Sequence, residues 1–259
     1  MRVYGMNPTM EALRAGRVTE IRLGESRRRG TDELLALAAR HGVRVRRVAR
    51  SEIDRLSGHV AHQGVLATVR RPVDVKVSDL LDGPAPPLIV VLDGIEDPRN
   101  LGAVARTAAA AGASGIVLQT RRSAATTGAA VKASAGTITH VRLAPVVNVS
   151  RALDALKAAG VWAVGLDAGA RRSLYDLDLR GPTALVVGSE GRGLRRLVRE
   201  RCDWLAALPM RPEVASLNVS VAAGIALFEA VRQRRASDPR ARSGARPPRA
   251  EPREEDSAN

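Results

Sequence analysis

Leu88-Ile89-Val90-Val91-Leu92-Asp93-Gly94, followed at Pro98 by an alanine-rich run to Ala111-Gly112, is the stretch that decides the fold class. Five successive apolar residues have the length of a strand buried on both faces, the pattern of a parallel sheet, and Pro98 suits the first turn of a helix. A further strand is predicted at Ile116 to Leu118. The same alternation continues outward, with strands predicted at Val141 to Ala144, Val161 to Leu166, Ala184 to Val187 and Trp204 to Leu208. Helices are predicted at Thr126 to Ala135, Arg151 to Ala159 and Leu194 to Arg201, and an apolar helix follows Ser220 through Phe228 and Val231. Strand and helix alternating at this spacing give an α/β fold with a mostly parallel sheet covered on both faces, whose ligands sit at the carboxyl ends of the strands.

A second, smaller α/β module precedes it. Asn7-Pro8 reads as a helix start, Val18 to Leu23 as a strand, Thr31 to Ala39 as a helix, and Val43 to Val48 and Gln63 to Val69 as strands. Proline clustering from Pro72 to Pro87 suits a linker. The chain therefore divides into residues 1–71, a linker at 72–87, a main domain at 88–235, and a tail at 236–259. That tail is Pro, Arg, Ser and Glu with few apolar residues, a composition expected to stay disordered.

The 259 residues carry 41 basic and 27 acidic side chains, a net charge of +14, and only Lys76, Lys132 and Lys157 of the basic set are lysine. Residues 1–71 hold 15 arginines against 7 acids, so the excess is densest there. Arginine forks match phosphate oxygens, which points to a nucleic acid partner. The five aromatics, Tyr4, Trp162, Tyr175, Trp204 and Phe228, are too few for recognition by base-stacking platforms, so contacts to phosphate, sugar and shape are expected. One cysteine, Cys202, excludes an internal disulfide framework, and the four histidines lack metal-ligand spacing, so no metal is expected. No apolar run approaches the ~18 residues of a membrane span. The chain reads as soluble and cytoplasmic.

Three polar segments fall at predicted strand-to-helix junctions. In Asp93 to Thr107, Arg106 interrupts an alanine-rich helix; facing the core it would need a partner or ligand, and on the wet side it would be an ordinary surface arginine. In Val187-Gly188-Ser189-Glu190-Gly191-Arg192-Gly193-Leu194, three glycines allow close backbone approach to a ligand, or form a turn whose Glu190 caps the next helix. The spacing is neither the dinucleotide fingerprint nor a phosphate loop, which opposes a nicotinamide oxidoreductase. In Leu208 to Ser220, Ser216 fits a helix N-cap, and no histidine is near enough in sequence to activate Ser216 or Ser220 as a nucleophile.

Together, Asn100-x-Gly102-x3-Arg106, the glycine segment, and Leu208-Pro209-Met210 with Ser216-Leu217-Asn218-Val219-Ser220 resemble, in order and spacing, the three motifs of the SpoU (TrmH) branch of the SPOUT RNA methyltransferases. Tyr4-Gly5 and His62-Gln63-Gly64-Val65 look like that family's N-terminal substrate-binding domain, which is similar to RNA-binding ribosomal proteins. The resemblance implies a C-terminal trefoil knot, S-adenosyl-L-methionine as cofactor, and a ribose 2′-hydroxyl as acceptor. It implies cofactor contacts at Gly188, Leu208 and Leu217, with Pro209 and Met210 beside them. It carries the essential arginine to Arg106, supported by Asn100, Glu190, Ser216 and Asn218, and it implies a homodimer in which one subunit's arginine works beside the other's cofactor. The basic N-terminal module resembles the arrangement in bacterial 23S rRNA (guanosine-2′-O)-methyltransferases. An adenosine of the same RNA, as in the thiostrepton-resistance enzymes, or a tRNA is the alternative target, and a non-catalytic RNA-binding assembly factor is the alternative function.

Overall fold

The structure, a computed structural model, describes residues 1–26, 30–58, 61–70, 74–120, 141–211, 213–214 and 216–237. The helix expected at Thr126 to Ala135 and nearly all of the expected tail lie outside these residues. Ala236 and Ser237, read from sequence as the start of that tail, instead close the last helix.

The N-terminal sheet has the order β1 (Arg2–Tyr4), β4 (Val65–Val69), β2 (Val18–Gly24), β3 (Arg44–Val48); only the β2–β3 pair is parallel. Helices α1 (Met6–Arg14) and α2 (Thr31–Arg40) bring Leu13, Leu34 and Ala38 into the core with Ile21 and Ala67, while α3 (Arg50–Ser57) packs Ile53 with Val48 and Leu66. Strand β1 and helix α3 were not foreseen. Three residues are too few to show a period, and α3 presents only Ile53 and Leu56 among polar residues. The first helix begins at Met6, after Gly5, two residues earlier than Asn7-Pro8 suggests. Gln63, read as the start of a strand, instead turns with φ 52°, because His62 ties the segment down. The Gly64 N–H donates to His62 Nδ1 at 3.0 Å, which leaves the ring proton on Nε2 to donate to Asp54 at 2.7 Å.

The second sheet has six strands, all parallel: β10 (Trp204–Ala206), β8 (Trp162–Leu166), β9 (Thr183–Gly188), β5 (Leu88–Asp93), β6 (Gly115–Gln119), β7 (Leu143–Val146). Central strand β5 alternates its side chains between two cores: Leu88, Val90 and Leu92 meet α4 (Pro98–Ala110) and α7 (Val219–Ser237), whereas Ile89 and Val91 meet α5 (Val149–Ala158) and α6 (Arg196–Arg201). This double burial is why its sequence is apolar without alternation. Asp97 caps α4 by accepting from the Arg99 N–H at 2.8 Å, and that backbone bond holds its carboxyl below the ordinary value.

Residues 74–87, read as linker, pack on this sheet. Val75 bonds Leu143, a 3-10 turn at Val77–Leu81 buries Leu80 completely, and the Arg142 guanidinium donates to the carbonyls of Asp79, Asp82 and Ser114. Arg234 of α7 donates to Pro86 and Pro87. Pro84, Pro86 and Pro87 keep its last residues out of helix and strand, but Val75, Val77 and Leu80 give it an apolar face, and that face governs where it lies.

Candidate functional site

The carboxyl ends of β8, β9 and β10 and the start of α7 enclose a cavity of about 890 Å³. Its wall is partly apolar, from Leu166, Val187, Leu208, Met210 and Leu217, and partly polar, from Asp167, Ser189, Glu190, Ser216 and Asn218. A parallel sheet leaves such a crevice where successive strand ends diverge, so the site lies where the fold class places ligands.

One wall is the glycine segment. Ser189 and Gly193 exchange backbone hydrogen bonds, N–H of Gly193 to Ser189 at 2.9 Å and the reverse at 3.2 Å, closing residues 189–193 into a tight loop. Gly191 and Gly193 have φ of 78° and 65°, values that other residues adopt only with strain. Gly188 is required for a different reason. A Cβ there would stand 2.1 Å from the Gly193 carbonyl carbon, so the returning backbone occupies the space of the missing side chain.

Asn218 joins the three sequence segments. As N-cap of α7, its Oδ1 accepts from the Ser220 N–H at 2.9 Å and from the Ser220 hydroxyl at 2.6 Å. Its Nδ2 donates to Asn100 Oδ1 of α4 at 3.1 Å and to Glu190 Oε1 of the loop at 2.5 Å. The amide thus spends its donors and its acceptor at once, which fixes its orientation. The helix begins at Val219, so the cap that the sequence allowed at Ser216 belongs to Asn218; Ser216 lies on the cavity wall instead. Asn218 satisfies the Ser220 donor, whereas Ser216 is three residues ahead of the first helical turn.

Of the expected cofactor residues, Gly188, Leu208, Met210 and Leu217 line the cavity and Pro209, between two of them in sequence, does not. Of the expected catalytic set, Asn100, Glu190 and Asn218 are hydrogen-bonded together and Ser216 faces the same space. Arg106 is apart. It is exposed on the outer face of α4, one turn beyond Ala103 and two beyond Arg99, with no hydrogen bond or ion pair among the described residues, and it is not on the cavity wall. Sequence reasoning missed the β8 end, where Leu166, Asp167 and Ala168 line the cavity and Asp167 pairs with Arg199 at 3.1 Å. The available signal was Asp167-Ala168-Gly169, a polar turn after a strand like Asp93-Gly94. Cys202 lies under this region, where burial chiefly, and Asp203 next, push its thiol up to about 12.

Residues 87–228 match the model of the SpoU rRNA Methylase family, and residues 2–73 match the RNA 2′-O ribose methyltransferase substrate binding model. An "uncharacterized tRNA/rRNA methyltransferase" of Mycolicibacterium smegmatis is 44% identical over 241 residues, covering 90% of this chain and 76% of that one. The 23S rRNA (guanosine-2′-O-)-methyltransferase RlmB of Xylella fastidiosa is 48% identical over 201 residues, 76% of this chain and 81% of its own. Among solved structures, the SpoU methyltransferase AviRb of Streptomyces viridochromogenes in complex with AdoMet superimposes with a TM-score of 0.74 at 28% identity, covering 90% of each chain. By the match over more than half its length and by these relatives, the chain belongs to the SpoU family of RNA methyltransferases and carries that family's N-terminal substrate-binding domain.

Proposed function

We propose that this protein transfers a methyl group from S-adenosylmethionine to the ribose 2′-hydroxyl of a guanosine in 23S rRNA, working in the cytoplasm as a homodimer. The observation that carries the reading is the Asn218 junction, which brings Asn100, Glu190 and the α7 cap to one edge of a partly apolar cavity at the strand ends. The residues fit the cofactor. Gly188 makes room for main chain rather than side chain at the wall, and Leu208, Met210 and Leu217 supply an apolar surface for an adenine beside the polar edge at Glu190 and Ser216. When bound, S-adenosylmethionine supplies an electrophilic methyl. The chain's part is to hold the acceptor oxygen and stabilise the charge that develops on it. Asn218 and Ser216 orient the ribose hydroxyl, and Arg106 holds the adjacent phosphate and stabilises the developing alkoxide as a permanent cation, since guanidinium is not deprotonated in proteins.

Arg106 is exposed and does not line its own cavity, which supports the paired arrangement. On α7, Val221 and Phe228 are each 49% exposed at i and i+7, with Gly224 and Ile225 between them on the same stripe, an apolar surface suited to a second copy. The 48% identity to the Xylella enzyme supports a 23S rRNA guanosine, and the 15 arginines of the N-terminal module support an RNA partner. The trefoil knot belongs to the same proposal, supported by the convergence of residues 188–194 with Ala206, Leu208, Met210 and Ser216 to Asn218 on one cavity. So does a likeness of the N-terminal module to RNA-binding ribosomal proteins, supported by its small sheet with helices on both faces. The test is transfer of labelled methyl to purified rRNA and tRNA, with mapping of the product. One 2′-O-methylguanosine in 23S rRNA is expected. Label on an adenosine or on tRNA would overturn the target, and no transfer despite RNA binding would overturn the activity.

A further inference from the structure

The loop that walls the cavity needs an anchor, because three glycines in six residues give it little stiffness of its own. Its first end is set by the sheet: Gly188 closes β9 in register with Asp93 of β5. Its second end is set by Asp93 itself. The Asp93 side chain is completely buried, and every hydrogen bond it makes in the described structure comes from Arg195, the residue after the loop. The Arg195 backbone N–H donates to Oδ2 at 2.8 Å, its Nε donates to Oδ1 at 2.6 Å, and its Nη2 also reaches Oδ1. The Arg195 side chain is 52% exposed, so its guanidinium reaches inward from solvent to a carboxylate lodged in the protein. A buried carboxylate without these donors would be costly, so the pair ties position 195 to position 93 and through it to the register partner of Gly188. Neither residue lines the cavity, whereas residues 188–194 all do.

We propose that Asp93 and Arg195 are positioning residues that clamp the base of the 189–194 loop, hold Glu190 within reach of Asn218, and so set affinity for S-adenosylmethionine without touching it. The inference rests on the function proposed above for its ligand, but the clamp itself is a statement about the loop. Four proteins test it: wild type, Asp93→Asn, Arg195→Gln, and the double variant. Arg195→Lys is added as a variant that keeps the charge and loses the fork. Amide exchange in a peptide covering residues 188–194 is measured together with cofactor affinity by titration calorimetry and RNA affinity by filter binding, all well below the melting transition. The single variants are expected to exchange the loop amides at least tenfold faster and bind S-adenosylmethionine at least tenfold more weakly, with RNA affinity unchanged. The double variant should be no worse than the singles, because the second change removes a contact already lost. Arg195→Lys should fall between, and it keeps the test decisive if Asp93→Asn does not fold. Unchanged loop exchange and cofactor affinity in Arg195→Gln, with only a lower melting temperature, would overturn the clamp and leave a merely structural ion pair. If wild type itself takes up no S-adenosylmethionine, the proposed function fails, while the exchange measurement still decides the clamp.

Discussion

Substituting alanine for Gly188 tests whether the cavity depends on the close crossing of its loop. The added Cβ would lie 2.1 Å from the Gly193 carbonyl carbon, 2.3 Å from its oxygen and 2.4 Å from the Leu194 nitrogen. Carbon atoms pack at about 3.5–4.0 Å, and all three neighbours are backbone, so no rotamer relieves the overlap. The loop must swing by more than about 1 Å, and forcing extra volume into a packed site costs roughly 1–3 kcal/mol. Expressed in affinity, that is about a 5- to 140-fold loss of S-adenosylmethionine binding. Titration calorimetry of Gly188→Ala, with circular dichroism to verify the fold, reads the loss directly. Gly191→Asn is the control: its φ is positive but nothing lies within 4 Å of a Cβ there, and asparagine tolerates that conformation. Affinity of Gly188→Ala within twofold of wild type would refute the steric argument.

Asn218→Ala removes both the α7 cap, worth about 0.5–2 kcal/mol, and the donor to Asn100 and Glu190, so thermal stability and methyl transfer should both fall. Asn218→Asp keeps a capping oxygen but loses the same donor and sets a second carboxylate against Glu190, so melting should recover no more than the cap's share while transfer is lost; recovery of both by aspartate would show that the Asn100 and Glu190 bonds are not needed. Arg106→Ala should leave stability within about 0.5 kcal/mol, as for an exposed side chain without a partner among the described residues, yet lower transfer by on the order of 10²-fold or more. Near-normal turnover would remove Arg106 from the chemistry. Cys202, with its thiol raised to about 12, is overwhelmingly protonated at pH 8. Iodoacetamide followed by mass spectrometry should label it only after urea unfolding, and labelling of the native protein at the rate of a free thiol would contradict the burial.

Much of the second domain was legible because its central strands are buried on both faces and α4 begins at a recognisable proline. Leu88 to Leu92 and the helix start at Pro98 are found as read, strand limits elsewhere differ by one or two residues, and the helices read as Arg151 to Ala159 and Leu194 to Arg201 run Val149–Ala158 and Arg196–Arg201. The N-terminal module was less legible. Arg2–Tyr4 is a strand only because it pairs with Leu66–Thr68, and no local pattern in three residues announces a partner more than sixty positions away. In the site, the residue types that converge were visible in sequence, but their roles were not separable. Ser216 and Asn218 are both capping residues by chemistry, and which of them caps depends on where the backbone turns into α7. Arg106 could face core or solvent by periodicity, and the packing of α4 against β5 and α7 decides for solvent.

The sequence by itself determined the α/β class, the polyanion-binding charge, and the three motifs that resemble the SpoU family, because these depend on local periodicity, composition and spacing along the chain. Only the tertiary structure decided that Asn218 is the junction of Asn100 and Glu190, that Asp93 reaches Arg195 across 102 positions, and that residues 74–87 lie on the sheet. Each is a contact between distant segments, whose existence depends on strand order and on which groups a buried carboxylate or amide can find to satisfy it, and neither is encoded in the neighbourhood of any one residue.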